Sequence, residues 1–126
     1  MKQAVAMMGA VVAELDGDLV IDGVSGRYPR GGVLDAGLGG TPARFLLAAA
    51  SLAGEDVIVD GAPRLRERPM DDGVAMLRSI GAHVEEQGEP GRLPLGMSPG
   101  LPSGSHVKVG STASSQFIWF LPLKNQ

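Results

Sequence analysis

Three stretches of this sequence bring together side chains that suit an anion. The first, RLRERPM (64 to 70), sets Arg64, Arg66 and Arg68 at alternate positions with Glu67 between the last two. On a strand face such like charges would repel by on the order of a few tenths of a kcal/mol per pair. Guanidinium forks fit carboxylate and phosphate oxygens, and Pro63 and Pro69 limit the freedom of the backbone between them. The second stretch is AGLGGTPAR (36 to 44). Its glycines let a backbone approach a ligand, Thr41 stands where a helix begins and free N–H groups point outward, and Arg44 follows one turn later. The third, GSTASSQF (110 to 117), clusters hydroxyls at a helix start with Gln116 one turn in, a neutral cradle for phosphate. Each has a plainer structural reading: a solvated loop with Glu67 paired to a neighbouring arginine, a capped helix with Arg44 in an ion pair, and a serine cap.

The rest of the composition narrows the chemistry. The chain has 126 residues, 44% hydrophobic and 20% charged, and fits one domain with a modest core. Five aromatics leave Leu, Val, Ala and Met to fill that core. Without cysteine there is no disulfide framework, thiolate site or cysteine catalysis, which fits a reducing, cytoplasmic setting. His83 and His106 lack ligand spacing, so no metal site is expected. The apolar run 43 to 53 falls short of the roughly 20 residues that span a bilayer. No secretory signal is expected from the residues after Met1, which read as helix. A net charge of −3 argues against nucleic acid as the partner.

The motifs must be held by elements that glycine punctuates. Residues 9 to 23 read as a β-hairpin turning at Asp16-Gly17. A strand is expected at 33 to 37. A helix follows over 41 to 53, with Thr41 as N-cap, Pro42 at the first helical position and Gly54 as stop. That helix is apolar nearly all round and should be buried. A strand (56 to 61), a helix from Asp71 to Ile80 stopped by Gly81, a strand or hairpin (82 to 96), a strand at HVKVG and a final apolar helix from Ser114 complete the reading. The helices are expected to pack together with the strands outside them.

The two ends of the chain echo each other. Gly9-Ala10-x-Val12-x-Glu14 and Gly81-Ala82-x-Val84-x-Glu86 stand 72 residues apart, as do Phe45 and Phe117. A structural repeat is expected, one copy over about 1–70 and a partial second over about 71–126. By that offset the chain begins inside the first helix of one copy and stops at the end of the last helix of the other, as an excerpt from a longer repeat would.

Taken in order, the three motifs resemble the 5-enolpyruvylshikimate-3-phosphate synthase (3-phosphoshikimate 1-carboxyvinyltransferase) family. That family carries an Ala-Gly-Asn-Ser/Ala-Gly-Thr-x-x-Arg turn, an Arg-x-x-Glu-Arg-Pro segment and a Gly-Ser-x-Ser-Ser-Gln-Phe helix start. The resemblance runs along nearly the whole chain through LDAG, ARFLLA, PRLRERPM and SSQF. The sister family acting on UDP-N-acetylglucosamine shares the fold but lacks the Ser-Ser-Gln and Arg-x-x-Glu-Arg-Pro patterns. The resemblance implies an inside-out α/β architecture of repeated βαβαββ units with buried helices and outward-facing sheets, here about one and three-quarter repeats in a single domain fragment. It also implies transfer of the enolpyruvyl group of phosphoenolpyruvate to shikimate 3-phosphate, in the shikimate pathway of aromatic amino-acid biosynthesis. Glyphosate is the implied competitor, and no metal or organic cofactor is implied. By the same resemblance Gly40 and Arg64 contact phosphoenolpyruvate or glyphosate, with Thr41 supporting their turn. Ser114, Ser115 and Gln116 hold shikimate 3-phosphate, while Arg44, Glu67 and Arg68 brace the site.

The departures from the pattern also carry expectations. Leu38 stands where the family has Asn, Gly39 and Pro42 alter the turn, and one extra residue enters GSTASSQF. The family's amino-terminal Lys-Ser motif and the second domain, with its acidic and basic groups, have no counterpart, so the chain is expected to hold half a site. Two further readings remain open: a non-catalytic module that binds glyphosate or shikimate 3-phosphate, and a half-domain that needs self-association or a complementary domain.

Overall fold

The computed structural model describes residues 2–25 and 31–100. In chain order they form α1 (Lys2–Met7), β1 (Val11–Leu15), β2 (Asp18–Asp22), β3 (Gly32–Asp35), α2 (Gly40–Ala50), β4 (Val57–Asp60), α3 (Pro63–Arg66), α4 (Asp71–Ser79), β5 (His83–Glu86) and β6 (Leu95–Ser98). The strand expected at HVKVG and the helix expected from Ser114 lie outside the described residues.

Local sequence explains most of these boundaries. Asp16 and Gly17 both take positive φ, 51° and 85°, the geometry a two-residue turn needs to match the twist of its strands. β1 and β2 therefore pair antiparallel from Val11 with Asp22 down to Leu15 with Asp18. The helix α1 ends on Gly9 (φ 106°), whose N–H donates to the Ala6 carbonyl while the Ala10 N–H reaches back to Val5. The helix α4 ends on Gly81 (φ 93°) with the same two bonds, Gly81 to Arg78 and Ala82 to Leu77. Both are Schellman closures, which place glycine in the left-handed position.

The start of α2 differs from the sequence expectation. Its N-cap is Gly39 rather than Thr41, since the Gly39 carbonyl accepts the first helical bond from the Ala43 N–H (3.1 Å). Pro42 then occupies the third helical position, still within the turn that needs no donor. Its ring sets the cap, because a Cβ at residue 39 would lie 2.7 Å from Pro42 Cγ. The helix also stops early, at Ala50 with Ser51 as C-cap, and not at Gly54. Ser51 is buried, and its hydroxyl donates to the Ala48 carbonyl at 2.7 Å.

β3 and β4 pair in parallel, with Asp35 opposite Asp60; β6 runs antiparallel beside β4, and β5 beside β6, giving the order β3-β4-β6-β5. The hairpin β1-β2 forms a separate two-stranded sheet. Helices α1, α2 and α4 put Ala4, Ala43, Leu46, Leu47, Val74 and Leu77, and the turn after α1 puts Met8, into one apolar cluster with Leu34, Val57, Val59, Leu95 and Met97 of the sheet. Removing a side chain such as Leu47 or Leu95 from water stabilises the fold by about 1.5–3 kcal/mol. The opposite sheet face carries the exposed Val33 and the half-buried Ile58. This is an α/β arrangement in which α1, α2 and α4 pack their apolar sides against one face of the sheet, the outer residues of α1 and α4 being exposed. Phe45 leaves 44% of its surface exposed, so α2 is not covered all round either.

Candidate functional site

Two of the three anion-suited stretches follow the two parallel strands, and the fold brings them together. AGLGGTPAR leaves the carboxyl end of β3 and RLRERPM the carboxyl end of β4. Loops at that end of adjacent parallel strands are where open α/β sheets bind ligands. The joining bonds are short: Ala36 N–H donates to the Asp60 carbonyl at 2.9 Å, and Ala62 N–H to the Gly37 carbonyl at 2.8 Å. Within the first loop the Gly37 N–H donates to Asp35 Oδ1 at 2.8 Å, and the Gly39 N–H to the Ala36 carbonyl at 3.2 Å. Leu38, where the family pattern has Asn, projects from this loop and is 69% exposed.

Gly40 is the first residue of α2 and is buried. The groups that face its α-carbon are cationic. A Cβ added there would stand 2.8 Å from Arg68 Nη1 and 3.7 Å from Arg44 Nη1. The Arg44 guanidinium is held below the ordinary arginine value, first by burial and then by the positive charge of Arg68. It remains protonated at neutral pH all the same. The first turn of α2 has no acidic residue, so the positive end of the helix dipole adds to the two guanidinium charges. Two arginines and a helix N-terminus converging on a glycine can hold a phosphate or carboxylate whose backbone contacts need an α-carbon without a side chain.

The three arginines of RLRERPM have three different roles. Arg66 forms a bidentate pair with Asp60, Nε to Oδ1 at 2.8 Å and Nη2 to Oδ2 at 2.6 Å. That pair holds the Asp60 carboxyl below its usual range, the Arg66 hydrogen bond being the largest cause, and raises Arg66. Arg68, exposed like the other two, places its Nη1 beside Gly40. Arg64 is exposed on α3, and the nearest atoms around Gly40 belong to Arg68 and Arg44. Thr41 is exposed at the second position of α2. Glu67 follows α3 as its C-cap and lines a cleft of about 300 Å³ with Gly88, Glu89 and Arg92. Ser114, Ser115 and Gln116 lie outside the described residues. Sequence reading missed the bond between Asp60 and Arg66. The signal for it was an aspartate closing a strand six residues before an arginine, across a Pro-initiated turn. Among the described residues no group of three His, Asp or Glu side chains could hold a metal ion, and no helix is long and apolar enough to cross a membrane.

Comparison with known proteins places the chain among its relatives. The family model for EPSP synthase (3-phosphoshikimate 1-carboxyvinyltransferase) matches residues 1–121. The 3-phosphoshikimate 1-carboxyvinyltransferase of Laribacter hongkongensis is 43% identical over 100 residues, 78% of this chain and 23% of that protein. Its namesake from Bordetella pertussis is 39% identical over 121 residues, covering 94% and 27%. The one from Methanoculleus marisnigri is 34% identical over 113 residues, covering 88% and 26%. Two structures of EPSP synthase from Acinetobacter baumannii superpose with TM-scores of 0.73 and 0.75 at 26% identity, over 92% and 94% of this chain and 27% and 28% of theirs. The chain thus spans about a quarter of the length of the curated relatives it matches. With nearly its whole length matched by that one family model, the chain belongs to the EPSP synthase family.

Proposed function

We propose that this chain supplies the phosphoenolpyruvate-facing part of an enzyme that transfers the enolpyruvyl group to shikimate 3-phosphate and releases phosphate. The observation that carries this reading is the meeting of Arg68 and Arg44 at Gly40, at the N-terminus of α2. Phosphoenolpyruvate offers a carboxylate and a phosphate on three carbons, so neighbouring guanidiniums can grip one end while helix amides take the other. Gly40 leaves room for the Arg68 guanidinium to lie against the start of α2, Thr41 adds a hydroxyl at the rim, and Arg64 contributes positive potential from α3. In the same reading Ser114, Ser115 and Gln116 hold shikimate 3-phosphate, Glu67 braces its turn, and glyphosate competes for the Gly40 side.

Proton transfer to the enolpyruvyl methylene requires positioned acids and bases. Around Gly40 the nearest side chains are arginines, which cannot serve in that role. The chain therefore binds substrate and turns over little until a complementary domain or a second chain completes the site. Exposed Val11, Leu15 and Ile21 on the β1-β2 hairpin support a need for such a partner. We assign residues 1–70 and 71–126 to two copies of one unit, supported by the matching closures of α1 and α4, and place the protein in the cytoplasm on its lack of cysteine.

A coupled phosphate-release assay tests this. With both substrates, the purified chain alone should show turnover far below that of a full-length relative, and adding the remaining domains of such a relative should raise it. Efficient release by the chain alone, or none after complementation with saturating partner, would contradict the proposal.

A further inference from the structure

We infer that Asp60 is a positioning residue: through its bidentate bond to Arg66 it fixes the turn after β4 so that Arg68, rather than Arg64, faces Gly40. The inference rests on the reading of Gly40, Arg44 and Arg68 as an anion site. Asp60 ends β4, and its carboxylate reaches the last residue of α3. Oδ1 accepts from the Gly61 N–H at 2.8 Å and from Arg66 Nε at 2.8 Å, and Oδ2 accepts from Arg66 Nη2 at 2.6 Å. The last residue of the four-residue helix is thereby tied back to the strand terminus that precedes it.

The neighbours leave this turn little alternative. Leu65 is 1% exposed and packs against Gly61 so closely that a Cβ there would lie 2.5 Å from Leu65 Cδ2. Downstream, Met70 is fully buried and its N–H donates to the Gly91 carbonyl at 2.7 Å. Only Glu67, Arg68 and Pro69 lie between Arg66 and Met70. The Arg68 N–H donates to the Leu65 carbonyl at 3.1 Å, so the direction of Arg68 follows from how this turn is held, by Leu65 in the core and by Asp60 at Arg66.

The electrostatic sign makes the inference testable. A carboxylate near an anion site repels the ligand, so on charge alone Asp60→Asn should tighten binding and Arg66→Gln should loosen it. A positioning role predicts that both loosen it, and that the double variant is no worse than the weaker-binding single, because the two side chains act as one unit. The experiment is an NMR titration of the folded chain with phosphoenolpyruvate for wild type, Asp60→Asn, Arg66→Gln and the double variant, with ligand-free spectra recorded first. We expect each single substitution to raise Kd about three- to tenfold, some 0.7–1.4 kcal/mol by the tenfold-per-1.4 conversion. Without ligand, both should shift the Gly40 amide and the Arg68 Nε–H resonances. Should Asp60→Asn not fold, Arg66→Gln and the conservative Asp60→Glu, which should recover part of the affinity, carry the same test. Tighter binding by Asp60→Asn, or wild-type Kd and unchanged Gly40 and Arg68 resonances in Arg66→Gln, would overturn the positioning role while leaving the anion site standing. If wild type binds no phosphoenolpyruvate but the ligand-free resonances shift in both singles, the anion reading falls and the positioning of Arg68 stands.

Discussion

The hairpins β1-β2 and β5-β6 begin alike and end in different surroundings. Each follows a helix closed by a positive-φ glycine with the same pair of bonds, and each opens on Gly-Ala-x-Val-x-Glu. The first turns tightly at Asp16-Gly17 and, among the described residues, pairs only with itself, leaving Val11, Leu15, Leu19, Val20 and Ile21 between 45% and 64% exposed. The second turns through a longer loop and docks β6 against β4, burying Leu95, Gly96 and Met97. Local sequence thus sets the helix stop and the strand pairing, while a neighbouring strand decides whether the apolar side chains are covered.

The largest effect that would sharpen this contrast is loss of a buried side chain from the second hairpin. Leu95→Ala should cost about 2–5 kcal/mol of unfolding free energy in a urea titration, since Leu95 is fully buried between β4 and the helices. Val20→Ala, on the exposed first hairpin, should cost about 0.5 kcal/mol or less. Equal losses would mean that the first hairpin is covered in solution.

The next effect concerns what the two hairpins share. Gly9→Ala and Gly81→Ala each force a left-handed residue with a Cβ, and each should cost about 1–2 kcal/mol by thermal unfolding. Because the hydrogen bonds of the two closures match, the two losses should agree within about 0.5 kcal/mol. A loss confined to Gly81 would break the likeness.

A smaller effect follows pH. The folded Asp60 carboxyl is depressed by Arg66, so its contribution to stability is present above the ordinary aspartate value, about 3.9, and is lost as pH falls through the lower folded one. Unfolding curves for wild type and Asp60→Asn should therefore differ at pH 6 and converge on acidification below about pH 4, with a gap smaller than that of either glycine substitution. A gap unchanged at pH 2 would contradict the pair's role in stability.

How much of this was legible in the sequence depended on range. Asp16-Gly17, Gly9 and Gly81 act within a few residues, through φ alone, and could be read directly. Thr41 looked like an N-cap because hydroxyl caps are common, but the Pro42 ring excludes a Cβ at residue 39 and sets the cap there. The anion character of AGLGGTPAR and RLRERPM was legible from residue type. Which guanidinium faces Gly40 was not: that depends on a single helical turn tied down by Asp60 and Leu65, and alternation along a sequence carries no such torsional information. The 44% exposure of Phe45 was not legible either, because an apolar helix sequence does not say how many of its faces find neighbours.

The central claim, that Arg68 joins Gly40 and Arg44 in one anion site, is most directly tested by comparing Arg68→Ala with Arg64→Ala in phosphoenolpyruvate titrations at low salt. A charge-assisted guanidinium contact is worth roughly 1.5–3 kcal/mol, so Arg68→Ala should raise Kd by about one to two decades. Arg64 and Arg68 are both exposed, but Arg64 is not among the groups nearest Gly40, so Arg64→Ala should raise Kd by about threefold or less, and that loss should vanish at high salt. A larger loss for Arg64→Ala than for Arg68→Ala would contradict the account and move the anion to the outer face of α3.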